Sequence, residues 1–313
     1  MNPFIFSNDN KRYHTYNYYL RHTYHSKVYK VPLDAGFTCP NRDGTKGYGG
    51  CTFCSSEGSG EFTLPSEKDL VKQFNITKQM MEAKWPNSKA IAYFQSYSNT
   101  YGSLTRIKEC VSPFLNMEEV VGIAIATRCD CLDEEKINYL NSLCDIKDIW
   151  IELGLQSSNE QTGIMINRGH DFTCFLQCMD LLKNTKIKIC VHIINGLPYE
   201  TQEDMLKTIK DIRHLRFDAL KIHMLHISKN TILHYQYDKK KFPVLTLEDY
   251  VDTVIKQLEL LPANIVIQRL TGDPVKEMLV EPTWVLNKTN VLNSIDKKMA
   301  ASNTYQGRLY EKY

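Results

Sequence analysis

Val28-Tyr29-Lys30-Val31-Pro32-Leu33-Asp34-Ala35-Gly36-Phe37 reads as a strand. It runs directly into Thr38-Cys39-Pro40-Asn41-Arg42-Asp43-Gly44-Thr45-Lys46-Gly47-Tyr48-Gly49-Gly50-Cys51-Thr52-Phe53-Cys54. The same kind of apolar run recurs at Ala90–Phe94, Val120–Ala126, Asp148–Leu155, Ile187–Ile194, Ala219–Leu225 and Asn264–Leu270. Most are rich in Ile and Val, as expected for parallel strands buried on both faces.

Helical patterns fill the intervals. Ser66 is placed to cap a helix, with Asp69 three residues on and Leu70, Phe74 and Met81 along one face. Residues 133–144 align Ile137, Leu140 and Cys144. Asp171 precedes Cys174, Phe175, Cys178, Leu181 and Leu182; Thr201 precedes Asp204 at the third position; Thr246 precedes Val251, Val254, Ile255 and Leu258. Strand and helix in alternation predict a parallel α/β fold, either an open doubly wound sheet or a barrel. In a barrel, chemistry gathers at the C-terminal ends of the strands.

The cysteine segment has the spacing C-x11-C-x2-C. Thiolates are the usual ligands of iron-sulfur clusters, and the x2 spacing brings two of them to one cluster from a tight turn. Glycine lets such a loop turn sharply and bring N–H groups near sulfur. A structural zinc takes four N or S ligands. Three cysteines, Cys39, Cys51 and Cys54, leave one iron of a cuboidal 4Fe-4S cluster open to a cofactor or substrate. Zinc with a distant fourth ligand is the alternative. Of the other cysteines, Cys174, Cys178, Cys144 and Cys190 read as core and Cys110 is uninformative. Cys129 and Cys131, just after the third strand, read as packing ahead of chemistry.

The chain has 313 residues, 42% hydrophobic and 24% charged, with a net charge of +2. That suits one large globular domain, or one with extensions. No apolar run approaches the roughly 20 residues of a membrane span. Met1-Asn2-Pro3-Phe4 does not open a signal peptide, so a cytoplasmic location with no membrane partner is expected. Residues 1–30 mix Lys11, Arg12, Arg21, Lys27 and Lys30 with Tyr13, Tyr16, Tyr18, Tyr19, Tyr24 and Tyr29. Interleaved cations and rings suit phosphates and stacked bases; an amphipathic segment packing its tyrosines on the domain reads the same way. The C-terminal stretch, with Trp284, Lys288, Lys297, Lys298, Tyr305, Arg308, Tyr310 and Lys312, is similar. We divide the chain into a basic aromatic extension (1–30), a core (31–262) and a C-terminal extension (263–313) in possible contact with RNA.

The cysteine segment together with later motifs resembles the radical S-adenosylmethionine (SAM) superfamily, and within it the YtqA/YhcC-type (MnmL-like) branch related to the radical SAM domain of the Elongator catalytic subunit. The motifs, in order, are Asp34-Ala35-Gly36-Phe37-Thr38-Cys39-Pro40-Asn41-Arg42-Asp43-Gly44, Cys51-Thr52-Phe53-Cys54, Phe94-Gln95-Ser96-Tyr97-Ser98-Asn99-Thr100-Tyr101, Glu152-Leu153-Gly154-Leu155-Gln156-Ser157, Asn167-Arg168-Gly169-His170 and Gly196-Leu197-Pro198-Tyr199-Glu200-Thr201. The resemblance implies a partial (β/α)6 TIM-like barrel with N- and C-terminal extensions. It also implies a 4Fe-4S cluster on Cys39, Cys51 and Cys54 whose open iron binds SAM, and reductive cleavage to a 5′-deoxyadenosyl radical. A reductant such as flavodoxin or ferredoxin is implied as partner.

By the same resemblance, Gln95, Ser96 and Ser98 stand where the superfamily commonly holds the SAM amino group, although the usual Gly-Gly-Glu-like element is absent. Glu152, an acid in an apolar run, is expected at the ribose with Gln156 nearby, since a buried carboxylate needs a partner. Arg168 is expected on the methionine carboxylate, and His192 and Asn195 near adenine. Glu200 and Thr201 read as helix caps. The family often has Thr-Arg-Pro-Asp after the third strand; here it is Thr127-Arg128-Cys129-Asp130. The resemblance points to tRNA, at the anticodon stem-loop, as partner. The implied reaction converts 5-carboxymethylaminomethyl-(2-thio)uridine at wobble position 34 towards 5-aminomethyl-(2-thio)uridine. Acetyl transfer is not expected, because no stretch of this length remains for an acetyltransferase domain. A radical SAM oxidoreductase acting on a small molecule or protein, and a non-catalytic zinc-stabilised RNA-binding protein, are the alternatives.

Overall fold

The computed structural model describes residues 2–58, 60, 63–64, 67–240 and 242–311. The proposed cap Ser66 and the tail residue Lys312 lie outside the described residues. Seven parallel strands form one sheet in the order β1 (Val28–Leu33), β2 (Lys89–Phe94), β3 (Val120–Thr127), β4 (Asp148–Gln156), β5 (Lys188–Asn195), β6 (Ala219–Met224) and β8 (Val266–Arg269). A short antiparallel ribbon, β7 (Ile227–Ser228) with β9 (Leu279–Glu281), stands apart. The helices are α1 (Tyr16–Tyr24), α2 (Leu70–Lys84), α3 (Leu104–Val111), α4 (Glu134–Ser142), α5 (Glu160–Met165), α6 (Phe172–Leu182), α7 (Gln202–Ile212), α8 (Ile232–Lys239), α9 (Leu247–Leu260) and α10 (Lys288–Ala301).

Sequential neighbours pair in parallel, with register shifts at Ala90/Ile91 and Gly154/Gln156, the pairing that β/α units give. The sheet curls, and its two faces sort by alternation. Val31, Leu33, Ile123, Ile125, Ile151, Leu153, Ile189, Val191, Leu220 and Ile222 meet helical Phe74, Ile107, Leu140, Phe175, Ile209 and Val254 on the outside. Val28, Ile91, Tyr93, Ala124, Trp150, Cys190, Ala219 and Val266 line the inside. The expected barrel is therefore present, with a seventh strand.

The helix caps follow the sequence. Asp171 accepts from Cys174 N, Thr246 accepts from Asp249 N, and Thr201 with Asp204 forms a reciprocal capping box. At α2 the cap is Asp69, which accepts from Val71 N and Lys72 N. β1 ends at Leu33 rather than Phe37. Asp34 accepts from Gly36 N at 2.8 Å, and Gly36 takes φ +66°, which turns the chain out of the sheet.

Both extensions belong to the barrel more closely than the division at 30 and 262 implies. β1 starts at Val28, and β8 lies wholly beyond 262. Helix α1 closes the N-terminal end of the barrel. Tyr16 and Tyr19 sit edge-on to the buried Trp150, with ring centres 6.3 and 5.9 Å away. Tyr24 donates to the Asp148 carboxylate, and Lys188 bonds Tyr19 Oη at 2.8 Å and Asp148 at 2.7 Å. Most tyrosines of residues 1–30 are thus packing residues. The C-terminal stretch is strapped down as well. Buried Gln306 donates to Pro262 O and Ile265 O and accepts from His14 N. Trp284 donates to Leu245 O, and Arg308 pairs with Glu259 at 2.9 Å.

Candidate active site

The cysteine loop leaves the C-terminal end of β1 and is folded by its own backbone. Cys39 O accepts from Arg42 N (2.8 Å) and Asp43 N (3.2 Å), Pro40 O from Lys46 N (2.8 Å), and Asn41 O from Gly50 N (2.8 Å). Gly49 and Gly50 have φ near +79° and +76°, and a Cβ on Gly50 would lie 2.7 Å from Arg42 Nε. Glycine is required there on both counts.

A distant motif braces this loop. Asn41 donates to Asn167 O at 2.5 Å, Asn167 donates to Gly50 O at 2.8 Å, and Thr52 N donates to Ile166 O at 2.9 Å. Gly169, at φ +76°, leaves room for the Asn41 carboxamide, 2.6 Å from where a Cβ would stand. The Asn-Arg-Gly motif thereby holds the cysteines in place.

Burial, and then the neighbouring Cys54, pushes the Cys51 thiol up to about 12; Arg128 and the Asn41 amide, 3.9 Å from Cys51 Sγ, act the other way. Arg128 is the nearby cation that the sequence reading did not single out. Its guanidinium grips Asp130 with two 2.8 Å bonds and donates to Arg168 O at 2.7 Å. Burial alone would raise Asp130, but Arg128 brings it down to about 2. The signal was present as Arg128-x-Asp130, where only the missing proline drew notice.

The donor set fits a cluster. Three thiols, Cys39, Cys51 and Cys54, share one loop, with the Arg128 guanidinium acting on Cys51. A structural zinc takes four N or S ligands, whereas three thiolates beside a cation suit an anionic cluster with one iron left open.

Inside the barrel lies a second polar group. Glu152 is wholly enclosed. Its Oε1 accepts from Lys30, and its Oε2 accepts from Lys221 at 2.5 Å and lies 3.1 Å from His192 Nε2. Burial opposes its charge, yet Lys221 and Lys30 hold the carboxyl well below the usual range. Burial, with Lys221 beside it, lowers His192 to about 4. Glu152, Cys190 and His192 approach as metal ligands would. Two ammonium groups on the same carboxylate already occupy the role a cation would take.

Four of the side chains expected to contact SAM have protein partners in this structure. Glu152 has both oxygens engaged by protein cations. Arg168 is buried; its Nε donates to His170 O and its Nη1 to Leu155 O and Ser157 O, while Nη2 has no hydrogen-bond partner among the described residues. Asn195 shares the outward parity of Val191 and Ile193. Its amide exchanges two hydrogen bonds with Gln257 of α9, at 2.8 and 2.9 Å, away from the lumen. Ser98 is fully buried and bonds Thr127 Oγ1 at 2.9 Å, tying β2 to β3. Gln156, at φ +67°, stands over Gly154, and Gln95 follows Ile91 and Tyr93 in the inward alternation. Ser96 is buried with its hydroxyl unbonded, and His192 faces the lumen. Glu200 is not a cap: it accepts from Ser157 Oγ at 2.5 Å. Cys129 and Cys131 are buried, with Cys129 Sγ 3.7 Å from Cys174 Sγ.

The rim of the barrel mouth carries exposed rings, where those of the floor are packed. Tyr48 of the cysteine loop is 80% exposed, Tyr199 after β5 55%, and Tyr235 on α8 57%. Helix α8 is tied to the cysteine loop by Leu233 N donating to Thr52 O at 2.8 Å. Lys240 lies 5.6 Å from the Tyr199 ring, and Lys46, half-exposed on the loop, pairs with Asp130 at 3.0 Å.

Comparison with known proteins agrees with these parts. Residues 39–212 match the Radical SAM superfamily, and residues 217–301 match the Radical_SAM C-terminal domain. The chain is 44% identical over 311 residues to YtqA of Bacillus subtilis, covering 99% of this chain and 97% of that one. It is 32% identical over 286 residues to YhcC of Escherichia coli, covering 89% of each. Over 164 residues, 51% of this chain and 30% of the relative, it is 24% identical to the tRNA uridine(34) acetyltransferase of Methanocaldococcus infernus. The solved structure of Elp3 from that archaeon superposes with a TM-score of 0.66 at 18% identity, covering 90% of this chain and 64% of the other. The fold, the cysteine loop and the full-length likeness to YtqA converge: this chain belongs to the radical SAM superfamily, beside YtqA and YhcC.

Proposed function

We propose that this protein modifies the wobble uridine of tRNA by radical SAM chemistry, converting 5-carboxymethylaminomethyl-(2-thio)uridine towards 5-aminomethyl-(2-thio)uridine: SAM is the two-electron oxidant of the N–CH2 unit, water then breaks that C–N bond, and the two carbons leave as glyoxylate. Cys39, Cys51 and Cys54 would hold a 4Fe-4S cluster, with Gln95, Ser96, Gln156 and His192 as the polar groups nearest the path of a bound SAM. The bound cluster and SAM supply a carbon-centred radical able to take hydrogen from an unactivated C–H bond. The chain itself supplies position and shelter. Arg128 places positive charge beside the thiolates, and the Asn41–Asn167 brace fixes the loop.

The observation that carries the RNA reading is the rim. Tyr48, Tyr199 and Tyr235 are exposed around the mouth, with Lys46 and Lys240 among them. Each ring offers a stacking face to a splayed base, and base–aromatic stacking is worth about 1–3 kcal/mol per base. The relatives named for uridine 34 of tRNA agree with it. One observation favours a small-molecule or protein substrate instead: the tyrosines of residues 1–30 are packed beneath the barrel. Mass spectrometry of tRNA nucleosides from a deletion strain tests the proposal. The carboxymethylaminomethyl nucleoside should accumulate and the aminomethyl derivatives should fall; unchanged levels of both refute it.

A further inference from the structure

Five strands send a polar side chain to one place inside the barrel: Lys30 from β1, Glu152 from β4, His192 from β5, Lys221 from β6 and Gln268 from β8. Lys30 Nζ donates to Glu152 and to Gln268 Oε1 at 2.8 Å. Lys221 Nζ donates to Glu152 at 2.5 Å and reaches Tyr93 Oη at 3.4 Å. Both ammonium groups lie near the Tyr93 ring, 4.7 and 4.9 Å from its centre.

The charges do not balance. Two ammonium groups face one carboxylate, Lys221 being lowered by burial to about 8 and so still charged at neutral pH, while burial keeps His192 and His223 neutral. Arg269, the next cation, shares Asp273 with Lys288. One positive charge is left over in a water-poor lumen, where an unmatched charge is costly. The excess is also reachable. The side chains of Lys30 and His192 are each 16% exposed, whereas that of Glu152 is 0%. The positions in register with Glu152 and His192 on adjoining strands include Ala126 and Gly154, which put almost no side chain into the space.

We infer that Lys30 and Lys221 form a subsite for the carboxylate of the substrate, a monoanion that completes the charge around Glu152. The identity of that carboxylate rests on the tRNA reading. It is the carboxymethyl end of the wobble substituent, reaching down from a base held at the rim. Two ammonium donors on a carboxylate make charge-assisted hydrogen bonds, which an aminomethyl product lacking the carboxylate cannot form. The subsite then separates substrate from product and aligns the carbons next to the carboxylate.

Two measurements on the anaerobically reconstituted protein test this. First, affinities are compared for matched anticodon stem-loops bearing carboxymethylaminomethyluridine or aminomethyluridine at position 34. The first should bind about tenfold tighter, as the loss of one hydrogen bond to a charged group implies. That ratio should fall towards one in Lys221→Met and in the less buried Lys30→Gln. Second, acetic anhydride labelling of Lys30 is followed by peptide mass spectrometry in the wild-type protein, so no variant need fold. N-acetylglycine should slow labelling at least about threefold and N-acetylglycinamide should not. Stem-loops that bind with a ratio near one, together with unprotected Lys30, overturn the subsite and leave the tRNA reading standing. Protection by N-acetylglycine without stem-loop binding supports the subsite and removes tRNA as its source. Absence of stem-loop binding together with unprotected Lys30 overturns both.

Discussion

The two ends of this barrel use the same residue type for opposite purposes. At the floor, Tyr16, Tyr19 and Tyr24 pack on Trp150 and Asp148 and close the barrel. At the mouth, Tyr48, Tyr199 and Tyr235 stand in solvent around the cysteine loop. Composition cannot distinguish these uses. The floor tyrosines lie on a short helix above a buried tryptophan; the rim tyrosines lie on the cysteine loop, after β5 and on α8. A tyrosine-rich segment therefore indicates a surface for bases only when the fold leaves its rings without a wall to cover.

The largest effect should come at the mouth. Cys39→Ala, Cys51→Ala or Cys54→Ala should each lose cluster iron and all 5′-deoxyadenosine formation. Retained turnover in any one removes that cysteine from the ligand set. At the floor, Trp150→Ala should cost about 3–5 kcal/mol of stability, read from denaturant midpoints. A cost under about 1 kcal/mol would mean that the floor is not a packed layer.

Rim substitutions should behave in the reverse sense. Tyr48→Ala or Tyr235→Ala should weaken stem-loop binding by about 1–3 kcal/mol while leaving unfolding within about 0.5 kcal/mol of wild type. A stability loss without a binding loss would erase the contrast between floor and mouth.

The smallest effect concerns Glu200, beside the rim residue Tyr199. Burial raises its carboxyl to about 7, against the hydrogen bonds from Ser157 and Thr162. The unfolded chain releases this proton near 4.5 and the fold near 7. Between those values the folded state binds more protons, so the Glu200 contribution declines as pH rises and levels off above 7. The Glu200→Gln variant should gain Tm relative to wild type between pH 5 and pH 8, by roughly 2–4 °C for each kcal/mol recovered. A difference that is flat with pH would refute the assignment.

The strand runs, helix caps and cysteine spacing were legible because each is local. Alternation sets the burial of a strand residue, a capping side chain lies three positions from its N–H, and the ligands share one loop. Asn195 was legible too, had its parity with Val191 and Ile193 been applied, since parity alone directs it at α9. What could not be read is which distant group answers a buried charge. Glu152 announced that it needed a partner. That Lys30 and Lys221 would supply it depends on β1 and β6 facing β4 across the lumen, and no local pattern carries that. Arg168 carries a second lesson. Its motif marks it as important, and its bonds to Leu155 O and Ser157 O make it a brace for the site, which no local pattern foretells.

The central claim is that the cysteine loop and the rim above it act on one substrate. It is tested most directly by 5′-deoxyadenosine formation in the anaerobically reconstituted protein with SAM and reductant, with and without tRNA bearing 5-carboxymethylaminomethyluridine at position 34. Formation should rise with that tRNA, and the aminomethyl nucleoside should appear in step with it. A rate indifferent to the tRNA, with the nucleoside unchanged, would contradict the account.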